Sequence, residues 1–160
     1  MNHKHRPFFL RDLQFPKYLW ALTAVYGLAT FGLCAHNAEF LAYYPNMPEE
    51  MTHEVVYLAW LGLTVVGLAV VPFYMLGLGV MAAFVLALYG LLGLSGLGHY
   101  SLGALEEHTL AANLLILFQG FSGLVLAVRA VRETVKQARR HVHRSAYGAP
   151  VKHDPRLSNR

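Results

Sequence analysis

The chain has 160 residues, of which 56% are hydrophobic and 14% are charged, and its formal net charge is +4. Its 13 Lys and Arg residues all lie outside positions 18–128: four precede Tyr18 and nine follow Val128. A soluble domain needs surface charge within so long a stretch, so the composition excludes an ordinary soluble protein and predicts a membrane protein. The positive charge is confined to the two ends, so it does not indicate a nucleic-acid-binding surface. The single cysteine, Cys34, excludes an internal disulfide and a cysteine-rich metal site.

The first part of the chain predicts an interfacial segment followed by a membrane span. Residues 1–16 mix basic and aromatic side chains, as segments lying in the membrane interface do, and Pro16 ends this segment. Residues 17–38 are long enough to cross ~30 Å of hydrocarbon. No small-residue cleavage site follows them, so we interpret them as a retained span. Small and polar side chains on one face predict a packing seam; they are Thr23, Gly27, Thr30, Cys34 and Asn37.

The middle of the chain predicts two further spans joined by a short turn. An aromatic loop precedes the second span, residues 50–72, and Tyr44 in this loop is expected at headgroup level. Asn46 is expected to cap the second helix. Pro72 predicts a tight turn into the third span, residues 75–98. This third span is rich in glycine, which predicts a close approach of helix backbones.

The fourth span, residues 108–128, carries the most polar side chains. Amide groups at membrane depth need partners, so this helix is expected to face the interior of the bundle. The residues of its predicted interior stripe are His108, Ala112, Leu115, Gln119 and Ser122. From Arg129 the helical pattern continues as a basic amphipathic extension, able to lie along anionic headgroups until Gly148 and Pro150 end it.

The distribution of charge predicts the topology. Both ends are basic, whereas the loops between the first and second and between the third and fourth spans carry six carboxylates and no Lys or Arg. We therefore predict that the chain lies in the inner membrane of a cell with both termini cytoplasmic. The predicted fold is an all-α integral membrane protein, an antiparallel bundle of four transmembrane helices with a cytoplasmic amphipathic C-terminal helix extension. The predicted parts are residues 1–16 (interfacial), 17–132 (transmembrane domain) and 133–160 (cytoplasmic tail).

Histidines and carboxylates at the predicted outer ends of the spans are the clearest functional signal. Each of the four spans brings one histidine to this face, and Glu39 lies three residues after His36, on the same helix face. Metal proteins built from helix bundles use such Glu–His pairs, and imidazole suits zinc, copper and iron. We therefore predict an outer-face site for a transition metal ion (copper, zinc or iron), used in metal handling or redox chemistry. The predicted metal-binding residues are His36, Glu39, His53, His99, Glu107 and His108.

Three alternatives remain open from the sequence. In the first, the histidines and carboxylates form no site and lie at the membrane interface only because water solvates them there at little cost. The chain is alternatively a non-catalytic accessory subunit of a larger membrane complex, or a b-type haem or quinone redox protein. Two histidines can ligate haem iron, but these four lie at one outer edge rather than inside the span, so we favour a metal ion. The expected partners are the lipid bilayer, other membrane subunits or a second copy of the chain, and no nucleic acid.

Overall fold

The computed structural model describes residues 15–44 and 46–147, and the described part is helical without a strand. Residues 1–14 of the predicted interfacial segment and residues 148–160 of the predicted tail lie outside the described residues. The α-helices are α1 (Lys17–Glu39), α2 (His53–Leu68), α3 (Val70–Met75), α4 (Gly79–Leu92) and α5 (Leu110–Tyr147). Short 3₁₀ helices cover Leu41–Tyr43, Gly93–Ser101 and Leu105–Glu107.

Four helical stretches are long and apolar enough to cross a membrane, as the sequence predicts. They are Lys17–Glu39, His53–Met75, Gly79–Ser101 and Leu110–Lys136. Each contains 23 or more residues, which at about 1.5 Å per residue exceeds the ~30 Å of a hydrocarbon core. The four stretches pack against one another, with α5 in contact with both α1 and α4. This arrangement is compatible with a helical bundle in a membrane.

The start of the second stretch corrects one sequence expectation. Thr52 caps α2, because its side-chain oxygen accepts a hydrogen bond from the Val55 N–H at 3.4 Å. Asn46, the expected cap, instead has a positive φ of 52° and donates its amide Nδ2–H to the Leu102 carbonyl at 2.6 Å. Asparagine tolerates the left-handed conformation better than most residues, so it serves as a turn residue here.

The connection between the second and third stretches also differs from its prediction. Pro72 lies within α3 rather than in a turn, near the helix start where its missing N–H leaves no hydrogen bond unmade. The chain reverses instead at Gly77, which has a φ of 73°, a conformation that glycine adopts at little cost. The third stretch therefore begins with α4 at Gly79, four residues later than predicted.

The glycines of α4 and α5 bring two backbones close together, as the composition predicts. A Cβ atom added at Gly90 would lie 2.5 Å from the Gly123 carbonyl oxygen and 2.9 Å from the Ala127 nitrogen. A Cβ atom at Gly93 would meet the Tyr26 ring at 2.8 Å. Only glycine fits these positions without displacement of a neighbour, so they fix how closely α1, α4 and α5 pack.

The polar stripe predicted for the fourth span, which begins at His108 just before α5, faces the interior, as predicted. His108, Ala112, Gln119 and Ser122 are buried, and Leu115 is half-buried. The Ser122 hydroxyl donates to the Phe118 carbonyl at 2.6 Å, so it is satisfied within its own helix. Beyond the apolar part of α5, its basic side chains are exposed at Arg129, Arg132, Lys136 and Arg139. The Tyr18 hydroxyl donates to Glu133 at 2.9 Å and joins the start of α1 to this part of α5.

Candidate functional site

The end of α1 places His36 beside Tyr44. His36 lies in the last turn of α1, and Tyr44 follows the short 3₁₀ helix that comes after it. Nδ1 of His36 and the Tyr44 hydroxyl share a hydrogen bond of 2.8 Å. Tyr44 is only 4% exposed. The loop therefore folds back over the helix end instead of leaving Tyr44 at the surface.

Asn37, the next residue of α1, reaches His99 at the far end of the third stretch. Its amide Nδ2 lies 3.0 Å from Nε2 of His99, and Asn37 itself is 7% exposed. The amide oxygen of Asn37 is buried and has no hydrogen-bond partner among the described residues. Leaving a buried acceptor unpaired costs free energy, so a hydrogen-bond donor placed beside this oxygen would be bound favourably.

His108, just before α5, has one paired and one unpaired ring nitrogen. Nδ1 lies 2.9 Å from the Ala104 carbonyl oxygen, which can only accept, so Nδ1 carries the proton. In the neutral ring, Nε2 then holds a free lone pair. This nitrogen is buried without a partner in the described part of the chain, and the residue is 6% exposed. Histidines that bind metals are commonly oriented in this way, with the second nitrogen donating to a carbonyl or carboxylate.

The three histidines surround the Tyr44 ring. The ring centre of Tyr44 lies 5.7 Å from that of His36, 5.2 Å from that of His99 and 6.1 Å from that of His108. The ring centres of His99 and His108 are 6.4 Å apart. We call these residues, together with Asn37, the Tyr44 site. It joins the end of α1, the end of the 3₁₀ stretch after α4 and the segment before α5.

Hydrogen bonds from neighbouring residues hold the two loops around the Tyr44 site. Asn113 donates from Nδ2 to the Leu105 carbonyl at 3.0 Å and accepts at Oδ1 from the Tyr100 hydroxyl at 3.0 Å. The centres of the Tyr100 and His108 rings lie 5.5 Å apart. The bond from Asn46 to Leu102 ties the loop after α1 to the loop after His99. The site is thus fixed by polar contacts between segments that are distant in sequence.

The other predicted metal-binding residues lie apart from the Tyr44 site. His53 is exposed at the start of α2. Glu39 is exposed and accepts a hydrogen bond from the Tyr57 hydroxyl at 2.9 Å. Glu107 is exposed in the 3₁₀ helix before His108. The structure therefore brings together three of the six residues: His36, His99 and His108.

Among the described residues, no carboxylate forms an ion pair with a histidine. The ion pair found there joins Lys136 and Glu133 at 3.6 Å. Within residues 15–44 and 46–147, no three His, Cys, Asp or Glu side chains are arranged to hold a metal ion. A ligand of the Tyr44 site would therefore meet imidazole nitrogens, an amide and a phenol rather than a ring of carboxylates.

Tyr44 and Asn37 are the residues of this site that the sequence did not identify. The stripe pattern of α1 places Asn37 in a packing seam, and the loop pattern places Tyr44 at headgroup level. The signal for Asn37 was its position next to His36.

Burial, together with the nearby Cys34, raises the pKa of Tyr44 above its ordinary value, so the phenol stays protonated at neutral pH.

The chain matches no protein-family model, and comparison with curated proteins and with solved structures found no significant match.

Proposed function

We propose that this chain is an integral membrane protein whose Tyr44 site binds a transition metal ion at the outer face of an antiparallel four-helix bundle. The observation that carries the metal site is the geometry of His108. Its Nδ1 donates to the Ala104 carbonyl at 2.9 Å, which directs the free lone pair to Nε2. That nitrogen is buried and unpaired among the described residues. A metal ion accepts such a lone pair and removes the cost of leaving it unpaired.

His99 is the second proposed ligand. Its ring is adjacent to that of His108, with 6.4 Å between the centres; His108 is buried and His99 is half-buried. His36 is the third imidazole beside Tyr44, with 5.7 Å between the ring centres and its Nδ1 on the Tyr44 hydroxyl at 2.8 Å. Imidazole is a good ligand for copper, zinc and iron, so the metal stays within the range that the sequence predicts.

Two contacts at opposite ends of the molecule support the antiparallel arrangement. Asn37 and His99 meet where α1 ends, close to the segment from which α5 begins. Tyr18 and Glu133 meet where α1 begins and where α5 has already passed through its apolar part. The exposed basic side chains gather at this second end. Basic residues flank the cytoplasmic side of membrane spans, which supports a cytoplasmic location for both termini.

Metal content of the purified protein tests the proposed function. Protein isolated in detergent from its native membrane would be analysed for bound metals, alongside His99→Ala and His108→Ala. We expect about one metal ion per chain in the unaltered protein and a loss of at least ~10-fold in affinity in each variant, since even outer-shell partners of metal ligands are worth 10–100-fold.

His53→Ala and Glu107→Gln are the matched controls, because both residues are exposed and lie outside the Tyr44 site. Both variants should keep the full metal content. Equal metal content in all five proteins would overturn the proposed site. Loss in His53→Ala as well would favour the wider six-residue site that the sequence predicts.

A further inference from the structure

A row of cations follows the apolar part of α5. Arg129, Arg132, Lys136 and Arg139 are all exposed, and they recur at intervals of three or four residues along one unbroken helix. This spacing places them on one face of α5. Ala130 is fully buried and belongs to the core-facing side instead. We call the four exposed residues the basic row, and it points away from the other helices.

The positive charge of the basic row is not balanced within the described part of the chain. Glu133 is the described carboxylate at this end, and it is already engaged. It accepts from the Tyr18 hydroxyl at 2.9 Å and lies 3.6 Å from Nζ of Lys136. Arg129 lies one turn before Glu133, close enough to Tyr18 for its charge to act on the phenol. Lys17 adds an exposed cation at this end, so the surface has a surplus of positive charge.

The start of the basic row coincides with the depth at which lipid phosphates would lie. The apolar part of α5, residues 110–128, covers about 28 Å at ~1.5 Å per residue, close to the ~30 Å of a hydrocarbon core. Arg129 and Arg132 therefore come within the first ~5 Å beyond the hydrocarbon, where the headgroup layer begins. Trp20 and Tyr74, whose ring centres are 5.5 Å apart, lie near the same end, and such rings favour membrane interfaces.

The chemistry of the first two residues of the row suits a phosphate group. Because Arg129 and Arg132 are three positions apart, their side chains are neighbours on the helix surface. A guanidinium group binds phosphate oxygens through two parallel N–H···O hydrogen bonds, which an ammonium group does not. A zwitterionic headgroup brings its own cation to such a site, whereas an anionic headgroup offsets the surplus positive charge.

We propose that Arg129 and Arg132 bind the phosphate group of an anionic phospholipid in the cytoplasmic leaflet. This proposal rests on the proposed orientation in the membrane and not on the metal site. The lipid is favoured over an acidic protein because these two arginines lie next to the apolar part of α5. A protein partner in solution would reach Lys136 and Arg139 more readily, since both lie farther along the helix.

Lipid binding to the full purified chain in detergent tests the proposal. Native mass spectrometry would measure the dissociation constants of dioleoyl phosphatidylglycerol, which is anionic, and dioleoyl phosphatidylcholine, which is zwitterionic. We expect phosphatidylglycerol to bind at least ~10-fold more tightly. Arg129→Gln and Arg132→Gln should each weaken its binding by about 5-fold, the equivalent of about 1 kcal/mol for each basic residue near an anionic lipid surface.

Arg139→Gln is the matched control, because it removes the same charge from the same exposed face. Arg139 lies about 10 Å beyond Arg132 along the helix, which exceeds the Debye length of ~8 Å at physiological ionic strength. This variant should therefore change phosphatidylglycerol binding by less than ~2-fold. Arginine and glutamine have similar helix propensities, so all three variants should keep α5 intact.

Three results would overturn the proposal. The first is equal binding of the two lipids. The second is equal weakening in Arg129→Gln and Arg139→Gln, which would indicate a general attraction of the whole row for polyanions, including acidic proteins. The third is displacement of phosphatidylglycerol by an equal concentration of inorganic phosphate, which would show that the lipid part adds nothing. Protein stripped of metal should bind the lipid equally well, so failure of the metal site and failure of the lipid site are separate results.

Discussion

Gly90 of α4 and Gly123 of α5 lie against each other with no side chain between the two backbones. This contact, rather than any large apolar side chain, sets the separation of the two helices. Helices in membranes associate through such close packing because lipid provides no hydrophobic driving force between them.

The first prediction concerns this contact. Gly90→Ala would place a Cβ atom 2.5 Å from the Gly123 carbonyl oxygen, so α4 or α5 must shift. We expect the free energy of unfolding in detergent to fall by about 1–3 kcal/mol. Gly62→Ala is the control, since a Cβ atom there meets nothing within 4 Å. That change in an exposed helix should leave stability equal or raise it by up to ~1 kcal/mol. Equal stability of the two variants would contradict the close approach.

A second prediction concerns Asn46, which has a positive φ and a hydrogen bond to Leu102. Asn46→Gly removes the hydrogen bond, leaves the positive φ unstrained and frees the unfolded chain, and should lower the free energy of unfolding by about 1–2 kcal/mol. Asn46→Ala also strains the backbone and should cost about 1–2 kcal/mol more. Chemical denaturation of the two variants checks the difference. If both lose the same amount, the left-handed backbone at this position carries no cost.

The third prediction uses the raised pKa of Tyr44. A group whose pKa is higher in the folded protein contributes stability below its unfolded pKa of ~10, and that contribution is lost as pH rises toward the folded pKa. The free energy of unfolding should therefore fall between about pH 9 and about pH 11, and it should fall less in Tyr44→Phe. Tyr43→Phe is the control, because Tyr43 is 63% exposed, and it should keep the loss seen in the unaltered protein. Identical pH profiles for Tyr44→Phe and Tyr43→Phe would show that burial of Tyr44 does not alter its ionisation.

The fourth prediction tests the proposed orientation in the membrane. Cys34→Ala provides a chain without cysteine, into which Ser101→Cys or Lys136→Cys is introduced at an exposed position. A thiol reagent that does not cross membranes should label Ser101→Cys in intact cells and Lys136→Cys only after the cells are opened. The reverse pattern would invert the proposed orientation. Labelling of both in intact cells would contradict the passage of α5 through the membrane.

The four long apolar helices were predictable, because long stretches without Lys or Arg are typical of membrane-spanning helices. The exact ends were not. Asn46 and Thr52 are both residues that cap helices, and only the fold of the loop decides that Asn46 bonds to Leu102 while Thr52 caps α2. Pro72 similarly fits either a turn or the start of a helix.

The candidate site was predictable only in part, for a physical reason. Helical periodicity fixes which residues share a face, but it does not fix the direction in which that face points. His36 and Glu39 share a face of α1, yet His36 bonds to Tyr44 while Glu39 accepts from Tyr57. Tyr44 lies in a loop, where no repeating pattern indicates a direction. Whether His36, His99 and His108 bind a metal stays a prediction.

The length of α5 has a mechanical consequence. Its 38 residues form one unbroken helix of about 57 Å, which starts two residues after His108 and continues past the last apolar turn. A rod of this kind transmits a tilt along its whole length. A rotation of ~5° about its first turn would move its far end by about 5 Å. One continuous helix therefore connects the segment that carries His108 to the exposed basic side chains at the opposite end of the protein.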